Sequence, residues 1–257
     1  MIETARLWIA PTFPGLSPVA QILLAAWVLT MVAVPILRWV WGDRAQQRGI
    51  VGGVLLQTAD VVAVLLAAWG PMRTVVTGLV VVGVGWAAEF LGSHTGVPFG
   101  RYAYTQRLQP QLGEVPVLIP LAWLMMLPPA WAVGQAASQG SRLLYIATSA
   151  LAFTAWDLFL DPQMVSWDMW TWSRSSSKKP GYFGIPWSNY AGWWMVSALI
   201  TWIAAPTNVP QEPLIFIYGI TWFLELFGQL FFWRLPGPAL AGGLGMGLCL
   251  LMAVLSP

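Results

Sequence analysis

The stretch GVLLQTADVVAVLLAAWGPMRTVVTGLVVVGVGWAAEFL, residues 53–91, decides the fold. It contains two apolar runs, 53–70 and 72–91, each close to the roughly 20 residues that a helix needs to cross a hydrocarbon core of about 30 Å. The dipeptide Gly70–Pro71 is a turn signal between the two runs. The stretch therefore predicts a tight hairpin of two membrane-spanning helices.

Further apolar runs continue this pattern along the chain. Hydrophobic residues make up 58% of the 257 positions and charged residues only 9%, which is the composition of an integral membrane protein. We predict an all-α, polytopic helical bundle of about eight transmembrane helices that forms a single transmembrane domain over residues 1–257. The predicted spans are 18–41, 53–70, 72–91, 115–134, 142–160, 188–205, 212–233 and 238–256.

Two long connections, 92–114 and 161–187, interrupt the apolar pattern. Glycine and proline residues punctuate the first connection, and four prolines interrupt the predicted span 115–134. Irregular backbone at membrane depth is tolerated where it lines a cavity. We therefore predict a re-entrant or irregular segment near 92–114, together with a broken fourth span, at the mouth of a pocket.

The basic residues divide unevenly between the two sides of this topology. By the positive-inside rule, the richer side is cytoplasmic. We predict a multi-pass protein of the cell membrane with both termini outside the cytoplasm, and we interpret residues 1–16 as mature chain because they lack a basic region followed by a cleavage site. The richer side has Arg38, Arg44, Arg48, Arg101, Arg107, Arg174, Lys178, Lys179 and Arg234, against Arg6, Arg73 and Arg142 on the other.

Acidic residues inside apolar spans are expensive, on the order of 3 kcal/mol each at mid-bilayer, unless they face a polar interior. Glu89, Asp157 and Glu225 all lie toward the C-terminal ends of odd-numbered spans, which places them near the cytoplasmic face. We predict that they line one cavity, joined by Asp161 and His94. The alternative, that each acid pairs with a neighbouring helix or reaches to the interface, stays open at this point.

Asp157 and Asp161 are spaced to share one helix face, although Pro162 is predicted to push Asp161 out of helical geometry. Two close carboxyl groups in a low dielectric favour the neutral state of one of them. A neutral acid can donate a proton to carbon. Asp60 lies nearer mid-span and is predicted to be a supporting polar group in helix packing.

Composition argues against several other functions. A formal charge of +2 gives no reason to expect nucleic acid, and the single Cys249 provides neither a disulfide nor a cysteine metal site. Membrane hydroxylases that use histidine-ligated metals need many histidines, and this chain has one, His94. We predict no metal site and no cofactor.

Four sequence segments between 89 and 194 form a recognisable ordered pattern. They are EFLGSHTGVPFGRYAYTQRLQPQLGEVPVLIPLAWLMM at 89–126, TAWDLFLDPQMV at 154–165, WTW at 170–172 and GYFGIPWSNYAGWW at 181–194. This pattern resembles the carotenoid biosynthesis membrane family that contains the CruF-type carotenoid 1′,2′-hydratases and the bisanhydrobacterioruberin hydratases. Outside residues 89–194, the chain matches the family only in its hydropathy profile and in the acid Glu225. The insert SRSSSKKP, 173–180, is longer than the family pattern.

The resemblance implies a hydro-lyase that adds water across the terminal 1′,2′ double bond of an acyclic carotenoid ψ end and gives a tertiary alcohol. Such a reaction requires an acid, aromatic faces to stabilise a cation, and a base that holds water. Asp157 is our predicted donor; Glu89, Glu225 or His94 would hold the water, and Asp161 would orient the site. The predicted substrate-binding residues are Trp123, Trp156, Tyr102, Tyr104, Tyr182, Phe183 and Asn189.

The implied partners are an acyclic carotenoid and membrane lipids, and contacts with other carotenoid-pathway enzymes stay open. Two alternatives also remain. DLFLD resembles the DxxxD acid pairs of magnesium-dependent intramembrane prenyltransferases, although Phe153 replaces the usual preceding asparagine and no second acid pair surrounds Glu225. A non-enzymatic carotenoid carrier or a transporter would also place acids inside the membrane.

Overall fold

The computed structural model describes residues 16–173 and 181–255. The predictions made for Arg6, Arg174, Lys178, Lys179 and the end of the last span at 256 fall outside these residues. The helices of the described part are α1 (Pro18–Trp41), α2 (Asp43–Trp69), α3 (Pro71–Thr95), α4 (Leu118–Ala137), α5 (Arg142–Ser166), α6 (Trp187–Ala204), α7 (Gln211–Phe231) and α8 (Pro236–Leu255).

The predicted fold class, a helical bundle of the polytopic membrane type, is confirmed. Seven of the eight helices in the described part are long and apolar enough to cross a membrane, α6 being the exception. Over its 18 residues α6 includes Ser188, Asn189 and four tryptophans, so it is less apolar than the others. Large apolar side chains such as Ile22 and Leu79 are about two-thirds exposed on the outer helix faces, where lipid would cover them.

The hairpin predicted from residues 53–91 is present, with Gly70 as the one residue between α2 and α3. Gly70 has φ 76° and its N–H donates to the Leu66 carbonyl at 3.0 Å; this left-handed conformation is one that a residue without a Cβ adopts at little cost. Pro71 then opens α3, where its missing N–H is not needed. Local turn chemistry alone therefore defines this element.

Helix α2 begins ten residues earlier than the predicted start at 53. Asp43 lies in its first turn, where a negative charge stabilises the helix dipole, and it is 3.7 Å from Arg38 at the end of α1. The polar sequence 43–48 forms helix because it continues the hydrogen bonding of the span, while the side chains of Asp43, Arg44 and Arg48 are exposed and that of Gln46 is buried. Hydropathy marks the membrane-embedded part of a helix and not its end.

Two predictions about prolines are wrong. Pro162 does not displace Asp161, because α5 continues to Ser166. Tertiary contacts hold the helix around Pro162, including a 3.0 Å hydrogen bond from Gln229 Nε2 to the Phe159 carbonyl. The fourth span is not broken either: α4 runs without interruption through Pro128 and Pro129. Its middle section is buried, so packing against neighbouring helices sustains the helix where an isolated helix would break.

The long connections contain short strands, which hydropathy did not indicate. These are β1 (Tyr102–Tyr104), β2 (Gln111–Leu112), β3 (Val115–Pro116), β4 (Trp170–Trp172), β5 (Gly181–Tyr182) and β6 (Ile185–Pro186). The irregular segment predicted near 92–114 is present from Gly96 onward. Strands β2 and β3 pair locally, as do β5 and β6, whereas β1 pairs antiparallel with β4 and so joins the first long connection to the second.

The bundle is organised around α4 and α5. Helix α4 contacts α2, α3, α5, α7 and α8, and α5 also packs against α6 and α8. Pairing of β1 with β4 brings the two long connections together at the end of the bundle where α3 and α5 finish. The C-terminal ends of α3 and α5 therefore lie at the same end of the bundle, beneath a cap of short strands.

We predict that tags on both termini are accessible from outside the cytoplasm. An even number of crossings is required, and it depends on α6, whose 18 residues span about 27 Å at 1.5 Å per residue. Cysteine labelling of intact cells at residues 2 and 257, compared with a cytoplasmic reporter site at Ser176 outside the described residues, measures this. Labelling of the two ends from opposite sides would show that α6 does not cross, and a cytoplasmic N-terminus would reverse the orientation.

Candidate active site

Glu89, in the last turns of α3, is the acceptor of a buried hydrogen-bond set. Its Oε2 accepts from the hydroxyl of Tyr102 and, at 2.8 Å, from that of Tyr104. Its Oε1 accepts from Trp123 Nε1 at 3.1 Å. Three donors from β1 and α4 thus converge on one carboxyl group that is almost completely buried.

The two tyrosines that bind Glu89 remain neutral donors. Burial, reinforced by the nearby Glu89 carboxylate, raises the pKa of Tyr102 and of Tyr104 well above the ordinary value for tyrosine. Both side chains lie on the same face of β1 because they are two residues apart in a strand. The sequence YAY therefore supplies two hydroxyls to one acid.

Asp157 and Asp161 lie one turn apart on α5, and Asn189 of α6 bridges them. Asn189 Nδ2 donates to Asp157 Oδ2 at 2.8 Å and also to Asp161 Oδ2. Trp170 Nε1, from β4, donates to Asp161 Oδ1 at 2.7 Å. Glu89 lies within electrostatic reach of both aspartates, so Glu89, Asp157, Asp161 and Asn189 form one group, which we call the acid cluster.

Two polar atoms at the acid cluster have no hydrogen-bond partner within 16–173 and 181–255. They are Asp157 Oδ1 and the hydroxyl oxygen of Tyr190, both buried. Tyr190 follows Asn189 on α6 and lies within electrostatic reach of both aspartates. Buried polar atoms are nearly always satisfied in folded proteins, so these two mark a place where a water or a ligand can bind.

An aromatic stack is centred on Trp193, which lies one turn after Asn189 on α6. The ring of Trp193 is stacked on those of Trp123 and Phe153, with centroids 5.0 and 5.2 Å apart. Trp156 meets Trp193 edge to face at 6.1 Å. Trp123 belongs to both sets, since its indole N–H binds Glu89. The acid cluster therefore adjoins electron-rich ring faces, which attract cations.

Glu225 does not join the acid cluster. It lies on α7 and lines a separate cavity of about 290 Å³ between α1, α2, α5 and α7. Its Oε2 accepts from Gln229 Nε2 at 3.3 Å. The acids predicted to share one cavity are thus divided by α5, with Glu89 and Asp157 on one side of that helix and Glu225 on the other.

His94 and Phe183 lie outside the acid cluster as well. His94 is partly exposed at the end of α3, where Nδ1 is 2.8 Å from the Phe90 carbonyl and Nε2 is 3.6 Å from Glu114. Phe183 is 57% exposed in the turn between β5 and β6, and its ring covers Gly237. Tyr182, next to it, packs against Tyr190 at 5.9 Å, and burial raises its pKa to about 12. Tyr182 therefore borders the acid cluster through Tyr190.

Asp60 is fully buried in α2, and neither of its carboxyl oxygens has a hydrogen-bond partner among the described residues. The predicted supporting role therefore has no contact in the structure to explain it. Within 16–173 and 181–255, no three His, Cys, Asp or Glu side chains are grouped so that they could hold a metal ion.

Sequence reasoning missed three members of the site. Trp170, Tyr190 and Trp193 all lie in the phrases WTW and GYFGIPWSNYAGWW. Trp193 follows Asn189 by four residues, so helical periodicity places both on one face. Trp170 donates to Asp161 from nine residues further along the chain, and neither helical nor strand spacing indicates that contact.

The fold and site define a multi-pass helical membrane protein with a buried acid cluster beneath a strand cap. The chain belongs to the carotenoid biosynthesis protein family, whose model matches residues 49–223. That range includes Glu89, Asp157, Asp161 and Asn189, and it ends just before Glu225.

One curated relative is the bisanhydrobacterioruberin hydratase of Haloarcula japonica, which is 32% identical over 115 residues. The alignment covers 42% of this chain and 36% of that protein, so the similarity spans well under half of the relative's length. No solved structure matches the chain.

Proposed function

We propose that this protein is a carotenoid hydratase that adds water across the terminal 1′,2′ double bond of an acyclic carotenoid ψ end. The product is a tertiary 1′-alcohol, and the reaction involves no net oxidation or reduction and uses no cofactor. The family supports a role in carotenoid biosynthesis. The name of the Haloarcula japonica relative supports hydration as the reaction.

The observation that carries the proposal is the buried Asp157–Asn189–Asp161 bridge beside the stacked rings of Trp123 and Trp193. Hydration of an isolated alkene needs a strong acid, because carbon is a poor base. Two carboxyl groups that share one amide donor in a dry site are most stable with one proton between them. That proton is available for transfer.

Asp157 is the proposed proton donor. In the part of the chain that the structure describes, its Oδ1 has no hydrogen-bond partner, so it is the carboxyl oxygen free to face a substrate. The proton moves to C2′, the π bond between C1′ and C2′ breaks, and a tertiary cation forms at C1′. General acid catalysis of this kind contributes roughly 10²–10⁴ in rate.

The aromatic stack and a bound water complete the proposed reaction. Ring faces of Trp193 and its neighbours stabilise the cation by roughly 2 kcal/mol when the site is desolvated. The unpartnered hydroxyl of Tyr190 can orient a water toward C1′. As the C1′–O bond forms, the water releases one proton to the aspartate pair, which restores the starting state.

Glu89 is proposed to position the site. It binds the hydroxyls of Tyr102 and Tyr104 and the indole of Trp123, and it thereby holds the strand cap and one ring of the stack against α3. Its carboxyl oxygens already have partners, so we assign Glu89 no proton transfer.

We expect the product oxygen to come from water. Purified protein in lipid is incubated with lycopene without dioxygen, with a metal chelator and in ¹⁸O-water, and the product is analysed by mass spectrometry. One ¹⁸O atom should appear for each hydrated end, since water supplies the captured nucleophile.

The same assay separates the alternatives. Oxygen that derives from dioxygen, or an absolute requirement for an isoprenyl diphosphate and magnesium, would overturn the hydratase proposal. Stoichiometric carotenoid binding without turnover would identify a carrier. Boiled protein gives the background of non-enzymatic hydration.

A further inference from the structure

The cavity that contains Glu225 lies against a different face of α5 from the acid cluster. Its wall is mostly apolar and aromatic, with Trp27, Trp167 and Trp233 among the lining residues. The half-exposed side chains of Val32 on α1 and Phe223 on α7 also line it. Because those side chains face the lipid side of the bundle, the cavity opens between α1 and α7 toward the bilayer.

A patch of polar side chains interrupts this apolar wall. It consists of Gln57, Gln163, Thr221 and Glu225. Gln57 Nε2 donates to Thr221 Oγ1 at 3.1 Å, and Gln229 Nε2 lies 3.4 Å from Gln163 Oε1 and 3.3 Å from Glu225 Oε2. We call these four lining residues the polar patch.

The polar patch has hydrogen-bonding capacity to spare. Among the described residues, hydrogen bonds use Glu225 Oε2 and Gln163 Oε1 and leave Glu225 Oε1 and Gln163 Nε2 without a partner. Both residues line the cavity, so one acceptor and one donor are left over there. Close by, the buried indole N–H of Trp156, another lining residue, is also without a partner. A pure hydrocarbon would bury these atoms unsatisfied, at a cost in binding free energy.

We propose that this cavity binds the hydroxylated end of an acyclic polyene, with the hydroxyl group on the polar patch. A hydroxyl both donates and accepts one hydrogen bond, which matches the acceptor of Glu225 and the donor of Gln163. At about 290 Å³ the cavity is at the small end of ligand pockets, so it holds one end of a long chain while the rest lies along the lipid-facing helices.

This inference rests on the proposed function, because hydration produces such an alcohol. Trp156 lines the cavity, and its ring also contacts Phe153 and Trp193 of the aromatic stack. The indole of Trp156 thus separates the cavity from the aromatic stack beside the acid cluster. The cavity is the site to which the hydrated end moves on its way to the bilayer.

The test compares binding of two pigments, lycopene and its 1,1′-dihydroxy derivative, to protein in lipid nanodiscs. Every sample carries Asp157→Asn so that neither pigment is turned over. Bound pigment is measured by absorption after removal of free pigment. The diol should bind about tenfold more tightly than lycopene, the equivalent of one well-made hydrogen bond.

Substitution of the polar patch should remove this preference. In Glu225→Leu combined with Gln163→Leu, we expect the two pigments to bind equally, because lycopene loses nothing and the diol loses its partners. Glu212→Leu, at the exposed start of the same helix α7, is the matched control and should keep the tenfold preference. Equal binding of both pigments before substitution would overturn the inference.

Filling the cavity provides a second measurement that does not depend on the polar patch. Val32→Trp narrows the opening and should weaken binding of the diol about tenfold. Leu29→Trp, one turn away on α1 and 69% exposed outside the cavity lining, should leave binding unchanged. Unchanged diol binding in Val32→Trp would place the pigment elsewhere.

The two proposals fail in different ways. Hydration is assayed separately in protein that retains Asp157. Active protein without a diol preference would overturn the cavity inference alone. A polar-patch-dependent diol preference in protein that hydrates no carotenoid would sustain the cavity site and overturn the proposed reaction.

Discussion

Asp157→Asn should lower carotenoid hydration roughly a thousandfold while the protein stays folded and still binds carotenoid. The substitution preserves shape, and an amide oxygen can still accept the 2.8 Å hydrogen bond from Asn189. It removes the proton that must reach C2′. Turnover of lycopene by purified protein, measured beside a thermal unfolding curve, separates loss of chemistry from loss of fold.

Two further aspartates serve as comparisons for Asp157. Asp161→Asn should lose less activity, because Asp161 accepts from Trp170 and Asn189 and its role is to position the donor. Asp168→Asn, at an exposed aspartate near Arg107, should be neutral. Near-normal turnover in Asp157→Asn together with loss of turnover in Glu225→Gln would move the proton donor to the cavity.

Glu89→Leu should cause the largest loss of stability. The substitution removes the acceptor of three donors, the hydroxyls of Tyr102 and Tyr104 and the indole of Trp123. Each donor left buried without a partner costs about 1–3 kcal/mol, so the free energy of unfolding should fall by several kcal/mol. Thermal unfolding in detergent, followed by near-ultraviolet circular dichroism, measures this loss.

Glu89→Gln and Glu114→Leu are the matched controls. Glutamine retains one acceptor oxygen and should recover part of the stability. Glu114 is largely exposed beside His94, and its substitution should change stability by less than about 0.5 kcal/mol. A Glu89→Leu protein as stable as the Glu114→Leu protein would show that the three donors find other partners, and the positioning role of Glu89 would then be wrong.

Most of the membrane architecture was predictable from sequence because hydropathy and turn chemistry are local. Gly70 and Pro71 predicted the α2–α3 hairpin, and it is there. The same locality explains the errors. Hydropathy predicts a start of α2 at 53 because it does not detect the polar first turns of that helix. The local effect of Pro162 predicts a disrupted helix at Asp161, whereas tertiary contacts stabilise α5 as far as Ser166.

The sequence by itself determined that the protein lies in a membrane, how many helices it forms and which acids lie inside apolar spans. Those acids can be recognised without a structure because burying a carboxyl group in an apolar span costs free energy whichever way the side chain points. It also placed Asp157 and Asp161 on one helix face through their spacing. Tertiary structure alone decided which acids meet. Pairing of β1 with β4 brings Tyr104 opposite Trp170 from a distant part of the chain, and packing of α6 on α5 brings Asn189 between the aspartates.

The separation of Glu225 from the acid cluster was decided in the same way. Depth along the membrane normal follows from sequence position, and by depth alone Glu89, Asp157 and Glu225 were equivalent. The direction in which each side chain points around the bundle depends on which helices pack together, and α5 turns one face to α6 and another to α7. The rotation of each helix about its own axis is fixed by the fit of side chains across helix interfaces, which no local pattern in the sequence encodes.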